Sequence, residues 1–346
     1  MILYVGLIAL LSLQGMKLRL RSFNEDYISR DNTDAVRGIF ILLIFASHFA
    51  KYVDPFTALL DTLYWRLRVF WGQGVVTCFL FYSGYGIALS AREKGDNYVR
   101  SMPRKRILPT LLVYDCSQII FLLVQLCRGK SYAAKDFLLS FAAWESFGND
   151  NWYIFVILGL YVITWLVLRG QELNQVTVAR VSVCALVFLL FLQCAGQGTY
   201  WYNTLLCYPM GMWFFLYKDK IDSFLSKASH YWPVAIAIGI TFLLIHKIWN
   251  QSLLLYILTM LLFALCVVIL TMKVQLRSPI LIYCGRHLQG LFLLHRIPFI
   301  LLSNYFPHSG PGIYAYFAIS IVLTFQFEAL FSKAITFLKG NTPVRE

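Results

Sequence analysis

The sequence predicts an all-α, polytopic integral membrane bundle of about eleven transmembrane helices: a ten-helix core preceded by one N-terminal helix. Three observations carry this. Of 346 residues, 59% are hydrophobic and 17% aromatic while only 14% are charged, a balance outside that of soluble domains. Apolar runs of about twenty residues recur along the whole chain, each long enough at about 1.5 Å per residue to cross the hydrocarbon core. The cations behind the net charge of +13 sit in short segments between those runs and not on one amphipathic face. They therefore read as topology signals held at the cytoplasmic side, not as a nucleic-acid surface.

Taken in order, "MILYVGLIALLSLQGM" has no basic region ahead of its apolar stretch and no small-residue cleavage site, so a retained first helix is expected rather than a signal peptide. "KLRLRSFNEDYISRDNTD" is polar and basic, an interfacial loop. Further spans are expected at about residues 35–53, 69–90, 107–127, 150–168, 180–195, 199–217, 232–248, 251–272, 279–303 and 312–337. Only "GQG" separates the pair at 180–195 and 199–217, so either could be tilted or re-entrant. Placing "AREKGDNYVRSMPRKR" inside as a loop puts Lys17, Arg19, Arg21, Arg30, Lys218, Lys220, Lys227, Lys273, Arg277, Lys339 and Arg345 on the same side. The N-terminus then lies outside and the C-terminus in the cytoplasm, although Arg66, Arg68, Arg128, Lys130 and Lys135 remain on the outer side. The eight cysteines lie mostly inside apolar segments without short paired spacing, as small buried hydrophobes do; neither a disulfide framework nor a metal site is expected.

Polar residues inside apolar runs need a reason. In "RGIFILLIFASHF" Arg37 and His48 are eleven residues apart, about three helical turns, so they share one face about 16 Å apart with Ile41 and Ile44 between them. Each alone could be an interfacial anchor or polar cap. Sharing a face, they suit a fixed cation and a general base. His295 and Arg296 interrupt "LFLLHRIPFILL", where ionisable groups need a cavity or a partner. Interhelical hydrogen bonding and a role in the site are equal readings of His295. Ser83 lies in "CFLFYSGYGIALS"; its glycine neighbours favour close packing, and no Gly-x-Ser-x-Gly turn marks it as a nucleophile. Arg104, Lys105 and Arg106 cluster at "RKRILP", sufficient as a topology signal and also suited to phosphate oxygens. Asn149, Asp150, Asn151 and Trp152 open a helix as a cap and an aromatic belt would, and would also suit a sugar. Asp115 and Glu328 fall inside spans and need partners that spacing does not reveal.

These residues, in order, resemble the membrane acyltransferase family 3, which includes O-acetyltransferases of bacterial surface polysaccharides. "DAVRGIFILLIFASHF" resembles its arginine-ten residues-histidine opening, "GVVTCFLFYSGYGIAL" its Ser-Gly-aromatic helix, "RILP" its basic turn, "NWYIFVILGLYV" its Trp-aromatic helix, "YPMGMWFFLYKDKI" a later glycine-containing span and "CGRHLQGLFLLHRIP" its late helix. Pro103 stands where the family often has the first of two arginines, with Arg104 beside it. The resemblance implies a domain over 34–337, preceded by a helix and basic loop at 1–33 and followed by a short tail at 338–346. It implies acyl transfer from cytoplasmic acyl-CoA, usually acetyl-CoA, to a carbohydrate or lipid-linked glycan hydroxyl, with no bound cofactor. His48, Arg37 and His295 are the expected catalytic residues, and Arg104, Lys105 and Arg106 the expected contacts to the donor phosphates. Asn151, Trp152 and Ser83 are expected on the acceptor or oxyanion side, with the donor arm running along the Ile41–Ile44 stripe. A transporter or flippase for a lipid-linked sugar is the main competing reading, a sensory or scaffolding protein the third.

Overall fold

Lipid offers backbone amides no hydrogen-bond partners, so a chain this apolar must satisfy them internally. The computed structural model, which describes residues 1–54 and 59–338, does so with helices: α1 (Ile2–Leu13), α2 (Arg30–Phe49), α3 (Leu59–Trp71), α4 (Gly74–Met102), α5 (Leu108–Cys127), α6 (Ala134–Phe141), α7 (Trp152–Leu168), α8 (Gln175–Cys194), α9 (Cys207–Leu225), α10 (Ala228–His246), α11 (Leu253–Thr271), α12 (Pro279–Arg286), α13 (Leu288–Leu294), α14 (Arg296–Leu302) and α15 (Gly312–Leu338). Five helical stretches are long and apolar enough to cross a membrane, namely Thr62–Cys127, Gln175–Cys194, Ala228–His246, Leu253–Thr271 and Gly312–Leu338. Leu3, Leu112, Leu123, Leu166, Val187 and Leu330 lie bare on the surface, as lipid-facing side chains do and soluble surfaces do not. The all-α multi-pass membrane bundle is thus borne out.

Several local expectations are corrected. The basic stretch read as a loop is largely helical: α4 runs on to Met102, broken at Gly95 (φ 62°, ψ −157°), and Pro103–Ile107 forms a π-helical turn into α5. Only glycine adopts that backbone conformation at little cost. The expected span at 279–303 is three helices. Pro298 lacks the N–H that would bond the Leu294 carbonyl, so the helix breaks at His295. The two spans doubted around "GQG" are both helices, the second starting only at Cys207. The helices α3 and α6 were not anticipated. In the polar N-terminal loop, β1 (Lys17–Leu18) pairs antiparallel with β2 (Val274–Gln275), Asn24 Nδ2 donates to the Thr271 carbonyl at 2.9 Å, and Lys273 Nζ to that of Ser22 at 2.8 Å. The tail expected at 338–346, with Lys339 and Arg345, lies outside the described residues beyond Leu338.

Two glycine-paired crossings set the frame of the site. Gly84 of α4 lies against the Tyr208 carbonyl, and Gly211 of α9 against that of Phe81. Likewise Gly38 of α2 meets Leu281, and Gly285 of α12 meets Asp34. At all four positions a methyl would overlap backbone, so small residues are what lets these helices touch. Gly211→Ala is expected to destabilise the bundle by about 3 kcal/mol, the upper range for overpacking. Gly86→Ala, whose added methyl meets nothing within 4 Å, should be neutral or slightly stabilising. Thermal unfolding of the two variants in detergent checks this, and equal melting temperatures would show that the crossing tolerates a methyl.

Candidate active site

The C-terminal turn of α2, the break between α13 and α14, and the loop before α7 bring three side chains together. His48 Nδ1 lies 2.7 Å from His295 Nε2 and 3.0 Å from Asp150 Oδ2. His295 Nδ1 lies 2.8 Å from the Phe292 carbonyl oxygen, which can only accept, so that nitrogen carries a hydrogen and neutral His295 offers a lone pair at Nε2. Both groups facing His48 Nδ1 are therefore acceptors. His48 then bears its hydrogen on Nδ1, and its Nε2 lone pair has no partner among the described residues. His48 keeps 18% of its side chain exposed and Asp150 12%, while His295 is buried between the rings of Phe45 and His48, with centroids at 5.2 and 4.9 Å.

Cations surround Asp150. Arg296 Nη1 lies 3.4 Å from Oδ2 and Lys51 Nζ 3.6 Å from Oδ1, and Arg296 Nε donates to the Tyr52 hydroxyl at 3.1 Å. Burial pushes the Asp150 carboxyl up, but His48, Arg296 and Lys51 outweigh it and hold the group well below the ordinary carboxylate range. Ligand-type atoms of His48, Asp150 and His295 lie within 4.8 Å of one another, a gathering that spacing in the chain could not show. Two ligands on a tetrahedral zinc stand roughly 3.3 Å apart. The His48–His295 contact, at 2.7 Å, is shorter than that and is a hydrogen bond, and the flanking cations oppose a metal ion between them.

The loop carrying Asp150 is held from behind. Gln125 Nε2 donates to the Phe147 carbonyl at 2.9 Å, Ser146 Oγ to that of Asn149 at 2.9 Å and Asn151 Nδ2 to that of Ala143 at 2.7 Å. Asn151 thus serves the loop, and Trp152 is buried beside Tyr153 and Tyr200.

About three turns nearer the start of α2, Arg37 Nη2 pairs with Asp34 Oδ1 at 3.1 Å and Thr33 Oγ1 at 3.3 Å. The path along the stripe is closed: Ile41 and Ile44 are 0% and 2% exposed, packed into the core. A hydroxyl thread lies beside it instead. Ser83 lies beside Tyr153 and Tyr161, Arg37 faces both tyrosines, and Arg106 has Tyr98, Tyr161 and Tyr208 nearby. Tyr153 stacks edge-on against Phe292 at 5.6 Å, whose carbonyl holds His295. Among the described residues no carboxylate pairs with Arg104, Lys105 or Arg106. Glu328 finds its partners in His287 Nδ1 at 2.8 Å and Ser332 Oγ at 2.5 Å, while Asp115 Oδ1 is buried without a hydrogen bond.

His48 and His295 stand out in the sequence as ionisable groups inside apolar runs, whereas Asp150 reads there as part of a helix cap. The run Asn149–Asp150–Asn151 ahead of an apolar helix was the available signal.

Fold and site define a polytopic helical membrane protein with a carboxylate-oriented histidine at one end of its bundle. Residues 30–328 match the family model of the acyltransferase domain, acyltransferase 3, and the chain belongs to that family. No curated protein and no solved structure matches it.

Proposed function

We propose that this membrane acyltransferase moves an acyl group, acetyl in the simplest case, from cytoplasmic acyl-CoA to a hydroxyl of a cell-surface carbohydrate or glycolipid. The observation that carries this reading is the Nε2 of His48, without a partner among the described residues, while Nδ1 is hydrogen-bonded to His295 and lies 3.0 Å from the Asp150 carboxylate. The acceptor hydroxyl gives its proton to Nε2 as its oxygen attacks the thioester carbonyl. The C–O bond forms, the C–S bond breaks, and the proton passes to the departing thiolate. Asp150 stabilises the imidazolium formed on the way, in the manner of the carboxylate of a serine-protease triad. Arg296 pairs with Asp150 and holds that carboxylate ionised beside His48. His295 has no hydrogen left to donate and acts by positioning His48.

The donor's phosphates suit Arg104, Lys105 and Arg106, which no carboxylate among the described residues neutralises. The amides of its pantetheine arm suit the hydroxyls of Ser83, Tyr153 and Tyr161 better than the closed aliphatic stripe. This orientation places the basic turn in the cytoplasm and the His48 end outside. An acyl-imidazole relay would form on the same nitrogen, and acid-quenched single turnovers with labelled donor separate the two routes.

The test is ester formation by the purified protein in proteoliposomes supplied with acetyl-CoA and a glycan acceptor. Arg104→Gln with Arg106→Gln is expected to raise KM for acetyl-CoA about tenfold while leaving kcat within about twofold, because charged contacts to the donor nucleotide act on binding in ground and transition states alike. Unchanged KM would move the donor site elsewhere, and no transfer with any acceptor would end the transferase reading.

A further inference from the structure

The outer-side arginines and lysines anticipated from the sequence run against the usual topology bias, and the structure shows where two more cations join one of them. Arg68 of α3 turns inward: its Nε donates at 3.3 Å to the carbonyl of Ser47, the residue before His48, and its guanidinium sits over Trp65 at 4.8 Å. Trp71 Nε1 reaches the same serine's hydroxyl at 3.3 Å. Lys51 and Arg296 flank Asp150, the carboxylate beside the same histidine. Three cations therefore converge on the segment 47–52, and among the described residues Asp150 is the one carboxylate paired with any of them; Asp54 is exposed and its backbone bonds to His308. Anchors that reach for lipid headgroups point away from a bundle. Arg68 and Arg296 instead bond to groups at and beside His48.

We infer, resting on the acyltransferase reading above, that the acceptor is anionic: a carboxylate or phosphate group lies on or next to the sugar whose hydroxyl is acylated, and Arg68 and Lys51 attract it to the mouth of the His48 site. A neutral acceptor would leave this surplus of positive charge without a complement, whereas an anionic one gains both in encounter and in orientation.

The experiment compares kcat/KM in proteoliposomes, with acetyl-CoA saturating, for three acceptors built on one hexose: the neutral glycoside, its uronate, and the sugar joined through a phosphodiester to a prenyl chain. One or both anionic acceptors are expected to exceed the neutral one by about tenfold at low salt, the combined effect of two partly exposed charge contacts. The preference should shrink severalfold on raising ionic strength to about 0.5 M. It should fall to about twofold in Arg68→Gln with Lys51→Gln and persist in Arg68→Lys. The ratio between acceptors is read within each variant, so a general loss of folded protein cancels. Uronate over phosphodiester identifies an acidic glycan, and the reverse identifies a lipid-linked sugar phosphate. Equal kcat/KM for all three, or a preference unchanged in the charge-removed variant, overturns the inference while leaving acyl transfer standing. No transfer to any of the three overturns both.

Discussion

Replacement of His48 by alanine is expected to lower kcat for acyl transfer by about 10³-fold, within the range general-base groups contribute, with KM for the acyl donor nearly unchanged. The reason is geometric. His48 holds the free Nε2 of the Asp150–His48–His295 set, because His295 spends both nitrogens on Phe292 and His48 and Arg296 and Lys51 are bound as cations to Asp150. The cationic turn expected to hold the donor lies at residues 104–106, beyond the far end of α4, so donor binding should survive. His48→Gln, which keeps bulk and polarity without a basic nitrogen, should be equally inactive. Initial rates of ester formation, together with the melting temperature of each variant in detergent, form the check. Activity retained within about threefold in a folded His48→Ala protein would remove this residue from the chemistry.

Asp150→Asn is expected to reduce kcat by roughly 10²-fold or more, for two reasons. An amide has no negative charge with which to stabilise the imidazolium. It can also turn its NH2 toward His48 Nδ1, favouring the tautomer in which Nε2 carries the hydrogen and cannot accept one. The carboxyl further neutralises Arg296 and Lys51, so its loss places uncompensated positive charge beside the imidazole. Because Asp150 acts through His48, the double variant His48→Ala, Asp150→Asn should be no slower than His48→Ala alone. Additive losses would mean that Asp150 has an independent role, such as binding the acceptor.

Much of the framework was readable in advance. The apolar runs fall where helices form, because each span must bury its own backbone polar groups whatever its neighbours do. The shared face of Arg37 and His48 follows from the period of a single helix. Errors arose where a local signal had two physical solutions. The charged stretch at the C-terminal end of α4 reads as loop by composition, yet one glycine with positive φ and one proline let it run as helix and π-turn. The aliphatic stripe between Arg37 and His48 is correctly placed on one face, but a face has no meaning as a channel until its neighbours are known, and here they close over Ile41 and Ile44.

By itself the sequence determined the membrane class, most helix positions, the order of motifs that marks the acyltransferase family, and the candidate base. The tertiary structure alone decided what that base touches. Asp150 and His295 stand 102 and 247 positions beyond His48 in the chain, and no periodicity reaches so far. Their meeting depends on glycines that bring α12 onto α2 and α9 onto α4, on a proline that breaks the helix at His295, and on a loop pinned by Gln125. Local propensity sets where a helix lies along the chain. Which of its faces meets a carboxylate is set by the packing of all the others.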